Sequence, residues 1–316
     1  MSIKTEISSP QFKEHESGFL KWLKTLNYST ETIKTRKRNI REFLLYMEQC
    51  GVPGIEEMSE ETVKQFANYL KHRENKKYGS GLMNASINVA IGSVNKFFEY
   101  LQQIEKPVPD NLGYVENNYK TKNILTMQEI NQLYETTYQK HHFAGEHTQA
   151  KQAAVSQRDR AMLSIYYGCG VRKSEGVNLN TEDILIERKL IHVRKGKGSK
   201  ERYVPVTENN MKYITEYLQV GRIVLLAGNE TETDSFFINQ YGENCSDQAL
   251  TARLRRLVKN SGNSVLRAKK PTLHTLRHSI ATHLLRQGME MELIQKFLGH
   301  GSLQSTQIYT HIVNEL

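Results

Sequence analysis

His274, Arg277, His300 and Tyr309 fall in the last fifth of the chain, in the runs His274-Thr275-Leu276-Arg277, Leu298-Gly299-His300 and Ile308-Tyr309. Cutting a phosphodiester needs cationic donors on the non-bridging oxygens, a group that moves a proton, and a nucleophile. Guanidinium, imidazole and phenol supply all three, so these spacings point to DNA strand chemistry. Tyr309 is one of 16 tyrosines, and a tyrosine is ordinarily a packing residue; its place nine residues after His300 sets it apart.

The elements that must position these groups are legible. Leu276, Ile280 and Leu284 recur every four residues as the apolar stripe of a helix, and His274 and Arg277, three apart, share a neighbouring face. Gly288 ends that helix. Met291 to Leu298 predicts a second, with Leu293, Ile294, Phe297 and Leu298 facing inward. Gly299 stands at the C-terminal cap, which puts His300 in the loop just beyond. Ser302 can cap a further short helix that carries Tyr309 near its far end.

The stretch HTLRHSIATHLLRQGMEMELIQKFLGHGSLQSTQIYTH resembles the C-terminal signature of the tyrosine site-specific recombinases (phage-integrase family), most closely the Xer-type members. That resemblance implies an earlier arginine in a Gly-x-Arg-x-Ser-Glu context, which Gly170-Val171-Arg172-Lys173-Ser174-Glu175 supplies. It also implies a lysine at a β-hairpin tip, matched by Lys197 in Val193-Arg194-Lys195-Gly196-Lys197-Gly198-Ser199-Lys200. All six catalytic positions are thus filled in order: Arg172, Lys197, His274, Arg277, His300 and Tyr309. The motifs cover about the last 190 residues; the first 110 or so match in helical pattern and length. Alternation in Leu190 to Val193 and Arg202 to Val206 independently predicts the hairpin. Lys195 and Lys200 then read as DNA-backbone contacts. His278 and His283 read as structural. No Glu follows His274 as a zinc-protease helix requires and no cysteine lies nearby, so no metal is expected there. His141, His142 and His147 lie in the polar run QKHHFAGEHTQAKQ, read as a solvated loop.

Composition agrees with a polyanionic partner: 43 Lys and Arg against 34 Asp and Glu give a net charge of +9. Three cysteines without paired spacing fit a reduced compartment. There is no apolar run long enough to span a membrane and no apolar export core in MSIKTEISSPQFKEHE, so a cytoplasmic protein that does not bind membranes is expected.

The expected fold is mostly α with a small antiparallel β-hairpin or sheet, in two domains. Residues 1–12 are expected to be a flexible N-terminus. Residues 13–105 form a helical bundle on Phe19, Leu20, Trp22 and Leu23; Ile33, Ile40, Phe43, Leu44 and Met47; Val63, Phe66, Ala67 and Leu70; and Ile87, Ala90, Ile91, Val94, Phe97 and Phe98. Ser29 and Ser59 sit where helix caps fall. Pro107, Pro109 and Gly113 mark a linker over 106–122, and the catalytic domain occupies 123–316. Lys34, Lys37, Arg38 and Arg41 form a basic stripe suited to tracking phosphates. By resemblance, this bundle is the core-binding domain that closes a clamp on the duplex.

The resemblance implies that Tyr309 attacks the scissile phosphorus, leaving a 3′-phosphotyrosyl link and a free 5′-hydroxyl, with no cofactor, metal or ATP. Arg172 and Arg277 would hold the non-bridging oxygens, Lys197 protonate the leaving oxygen, His274 assist proton transfer at the tyrosine, and His300 hydrogen-bond the phosphate; Glu175 would orient Arg172. The implied partner is double-stranded DNA with paired half-sites, bound by a homo-tetramer or a hetero-tetramer with a related recombinase. The alternatives are a mobile-element integrase or transposon recombinase, a type IB topoisomerase, and a non-catalytic DNA-binding regulator. Two departures stand out. Gly176 follows Ser174-Glu175 where the family has an aliphatic residue, which should weaken the local helix and loosen Arg172. Only seven residues follow Tyr309, among them the apolar Ile312, Val313 and Leu316, which leaves little chain for an exchange between protomers.

Overall fold

A computed structural model describes residues 6–73, 81–116, 124–139, 146–194, 201–228 and 232–299, the side chains of 146 and 147 apart. Lys195, Lys197, Lys200, His300 and Tyr309, with the tail residues Ile312, Val313 and Leu316, lie outside them. The chain divides into two compact units, Met1–Tyr119 and Lys120–Leu316.

The first unit packs helices α1 (Pro10–Thr25), α2 (Thr30–Gln49), α3 (Glu60–His72) and α4 (Asn84–Gln103). Ser9, Ser29 and Ser59 each cap a helix by accepting from a backbone N–H three residues on, which satisfies an otherwise orphaned donor. Phe19 meets Phe97 edge-on at 5.3 Å, and Phe43 meets Phe66 in the same way at 5.1 Å. The N-terminus departs from expectation. Helix α1 already starts at Pro10, and Ile7 and Phe12 are buried, so the flexible stretch 1–12 is cut short.

The start of the expected linker is also not a free joint. Asn95 exchanges two 2.9 Å hydrogen bonds with the backbone of Leu112, and Asn88 does the same with Val115 at 2.7 and 2.8 Å. Two asparagines seven apart on α4 thereby fasten residues 112–115 to the bundle, and Leu112 is buried. Pro and Gly break a helix, but they do not prevent an extended strap from finding side-chain amides.

The second unit opens with α5 (Met127–Thr136), whose Thr126 and Glu129 form a reciprocal capping box. Helix α6 (Glu146–Leu163) begins inside the polar run expected to be a loop. It has little apolar stripe to announce it. Buried charges fix it instead: Arg158 donates to the Ile238 carbonyl, Asp159 pairs with Arg253, and Arg160 pairs with Glu216. A π-turn over Ser164–Gly168 follows, then the short α7 (Lys173–Val177). Strands β1 (Ile184–Leu185), β2 (Leu190–Val193) and β3 (Arg202–Pro205) form an antiparallel sheet in that order, with Ile191 opposite both Ile184 and Val204. Beyond it come α8 (Glu208–Glu216), a second π-turn at Tyr217–Gly221, α9 (Arg222–Leu226), α10 (Asp247–Asn260) and α11 (Ser264–Ala268). Helices α12 (Leu273–Arg286) and α13 (Met291–Leu298) close the described chain. Ile294 and Leu298 of α13 are buried, but Leu293 is 49% exposed, contrary to the inward face expected for it. No helix among the described residues is long and apolar enough to cross a membrane.

Candidate active site

Helix α12 carries both His274 and Arg277, and capping at Thr272 fixes its start. His274 is exposed at the first turn, its ring 4.6 Å from that of His278 and edge-on to it. Arg277, one turn deeper, is 1% exposed. A guanidinium so buried needs acceptors. Arg277 finds them in two carbonyls, donating from Nη1 to Gly170 at 2.6 Å and from Nη2 to Leu298 at 2.7 Å. His283, two turns further, is an internal group: its Nδ1 lies 2.9 Å from the Tyr167 hydroxyl, and burial lowers its pKa.

Arg172 is the N-terminal cap residue of α7, delivered by the chain that leaves the π-turn. Its backbone N–H donates to Glu175 Oε2 at 2.9 Å and its Nη1 to Oε1 at 2.6 Å. Its Nη2 donates to the carbonyl of Gly299. Gly299 has φ +66°, the left-handed cap that ends α13 and aims the chain toward His300.

Glu175 is the hub. Its side chain is 1% exposed, and beyond Arg172 it takes both terminal nitrogens of Arg202, at 3.0 and 2.9 Å. Arg277 Nη1 stands 3.9 Å away. Burial alone would raise the Glu175 pKa, but hydrogen bonds and charge from Arg202, followed by Arg172, hold it at about 2. Three guanidiniums around one carboxylate leave two positive charges in excess in a largely dry site. A phosphodiester carries one negative charge and its pentacoordinate transition state two, which is the complement of that excess.

Gly176 also has a packing role that helix propensity does not show. A β-carbon there would fall 2.7 Å from the side chain of Tyr166, whose hydroxyl donates to the Lys173 carbonyl. The missing side chain leaves room for Tyr166 against α7, the short helix that Arg172 caps.

Arg202 is the residue that motif spacing overlooks. Its signal is the alternation of β3: Arg202 shares a face with Val204 and Val206, both buried, so its charge points inward and needs a carboxylate. At the same end of the hairpin, on the opposite strand, Arg194 pairs with Asp183, 2% exposed, at 2.7 Å and with Glu182 at 3.1 Å. Both sides of the 195–200 segment are thus pinned at their bases.

On the bundle, the four basic residues of α2 divide. Arg41 forms a paired hydrogen bond with Glu16 of α1, at 3.1 and 3.2 Å, and so ties two helices together instead of standing free. Lys34 meets Glu31 at 2.8 Å on the surface. Lys37 and Arg38 are exposed with no partner among the described residues. Beside them Lys24, Tyr28, Lys34 and Lys37 line an open notch of about 420 Å³.

Residues 123–315 match the sequence profile of the phage integrase family, and residues 17–104 match that of the phage integrase N-terminal SAM-like domain. The chain is 31% identical to tyrosine recombinase XerD of Oceanobacillus iheyensis over 288 residues, covering 90% of this chain and 88% of that protein. It is 29% identical to tyrosine recombinase XerC of Bacillus subtilis over 296 residues, covering 92% and 88%. Among solved structures, the Tn1549 transposon integrase in complex with transposon right end DNA superposes with a TM-score of 0.71 at 21% identity, over 93% of this chain and 94% of that one. The XerH site-specific recombinase in its post-cleavage complex superposes with a TM-score of 0.70 at 24% identity, over 92% and 78%. The chain belongs to the phage integrase family, as an Xer-like tyrosine recombinase, an enzyme that cleaves and rejoins DNA.

Proposed function

We propose that this enzyme exchanges strands between two double-stranded DNA sites, each made of paired half-sites, through a 3′-phosphotyrosyl intermediate on Tyr309. The observation that carries the reading is the convergence of Arg172 and Arg277, with Glu175 between them, on the end of α13 one residue before His300. Arg172 and Arg277 grip the non-bridging oxygens and offset the charge of the transition state. His274, exposed at the head of α12 one turn from Arg277, assists proton transfer at Tyr309. Lys197 protonates the departing 5′ oxygen, and His300 hydrogen-bonds the phosphate. The phosphotyrosyl bond stores the energy of the broken linkage, so religation to a partner's 5′-hydroxyl consumes no nucleotide. Lys37 and Arg38, with Lys34, Lys195 and Lys200, follow the DNA backbone.

Likeness along nine-tenths of the chain to XerC and XerD proteins supports an Xer-type role, with four protomers, identical or of two related kinds, acting on two sites. The test is covalent capture, in EDTA, of duplexes from a genomic or randomised pool. Captured sequences rebuilt with a nick near the scissile bond should trap the protein on a 3′ end, and Tyr309→Phe should lose that complex while still shifting the same duplex in a gel. A 5′ linkage or a metal requirement would refute the mechanism. Recombination between two captured sites is the outcome expected of a recombinase; relaxation of any supercoiled plasmid without a specific site would assign a topoisomerase.

A further inference from the structure

Arg202 touches three parts of the site at once. It is the first residue of β3, separated by one residue from the end of the 195–200 segment, and its side chain is 12% exposed. Its two terminal nitrogens cover both oxygens of the carboxylate that also holds Arg172. Its guanidinium lies against Gly299, where a β-carbon would come within 2.7 Å of Nε. Nε itself is buried with no acceptor among the described residues. A surface ion pair needs none of this geometry. A planar fork wedged between the carboxylate of Glu175 and the cap of α13 fixes one against the other and fixes β3 against both.

We propose that Arg202 is a positioning residue for strand cleavage: it locks the base of the β2–β3 hairpin onto the Glu175–Arg172 pair, so that the strand following the Lys197 segment and the phosphate clamp keep one geometry. Arg202 does not touch DNA. The inference rests on the roles proposed above for Lys197 and Arg172. A lysine at 202 keeps the charge but cannot span both oxygens and lie against Gly299, so the hairpin is released without removal of the buried cation.

The experiment compares wild type, Arg202→Lys and Arg202→Gln in single-turnover cleavage of a nicked target duplex. The scissile phosphate carries either the ordinary 5′ oxygen or a 5′-bridging sulfur, which departs without needing a proton. DNA affinity and thermal melting are measured alongside. Arg202→Lys should fold and bind as wild type does and cleave the oxygen substrate about a hundredfold more slowly, the usual scale for a displaced catalytic group. The sulfur substrate should recover at least about tenfold of that loss. Arg277→Lys, measured in parallel, should recover nothing. Equal loss on both substrates would show that Arg202 does not hold the hairpin. Full activity of both variants, or failure of both to fold, would make it an ordinary structural residue and overturn the proposal. Wild-type protein that cleaves neither substrate would instead count against the phosphotyrosyl mechanism itself.

Discussion

A β-carbon on residue 176 would fall 2.7 Å from three atoms of the Tyr166 side chain, two of its ring carbons and the hydroxyl oxygen. This contact settles which way a substitution at the glycine after Ser174-Glu175 acts. Helix propensity alone favours alanine over glycine by about 1 kcal/mol. Overpacking against a fully buried tyrosine costs about 1–3 kcal/mol and has the opposite sign. Gly176→Ala should therefore lower the unfolding midpoint in a denaturant titration and slow cleavage, because Arg172 caps the same short helix. A raised midpoint would mean that Tyr166 yields easily.

Arg277→Lys should slow cleavage by well over about tenfold with DNA affinity nearly kept. The guanidinium reaches Gly170 and Leu298 from opposite ends of its fork, and an ammonium on a flexible stem cannot reproduce two fixed directions. Single-turnover rates on a nicked substrate give the answer, and a rate near that of wild type would remove Arg277 from the phosphate site.

Glu175 sets a pH dependence. Its folded pKa of about 2 lies below the ordinary 4.5, so the stability it contributes is complete above about pH 4.5 and is lost as pH falls toward 2. The depression corresponds to about 3 kcal/mol. Glu175→Gln should thus be less stable than wild type at neutral pH by an amount of that order, with the gap closing between pH 4.5 and 2. A gap that stays constant with pH would mean that the carboxylate's charge is not what holds the arginines.

The basic stripe of α2 should separate under mutation. Lys37→Ala with Arg38→Ala should weaken DNA binding and reduce the slope of log affinity against log salt by about 0.9 for each lost phosphate contact. Arg41→Ala should act mainly on stability, by about 0.5–1 kcal/mol, because its partner is Glu16 of α1. Salt titrations and melting curves on the two variants distinguish these effects, and a salt slope changed only by Arg41→Ala would reverse the assignment.

Much of the architecture was legible because it follows local rules. Strict alternation placed β2 and β3, serine caps placed the starts of α2 and α3, and Gly299 ended α13 in the left-handed region where only glycine is comfortable. What escaped notice rests on partners distant in sequence. Helix α6 has few apolar positions, and its charges acquire meaning only beside Arg253, Glu216 and the Ile238 carbonyl. Leu293 fits an apolar pattern yet lies about a third of a turn from the face shared by Ile294 and Leu298, outside the packed side. Arg202 looked like one more basic residue of a hairpin, because its carboxylate lies 27 positions earlier. Arg41 looked free for the same reason, with Glu16 one helix away.

Arg172 and Arg277 each spend one N–H on a main-chain carbonyl from two consecutive residues, Gly299 and Leu298. Each guanidinium carries five N–H donors, so the carbonyls occupy only part of the fork. On the phosphate-clamp role proposed for the pair, a phosphate would compete with those two carbonyls, and a charged oxygen is the stronger acceptor. Grip on the duplex backbone would then draw on the same two side chains that hold the last turn of α13 and its glycine cap.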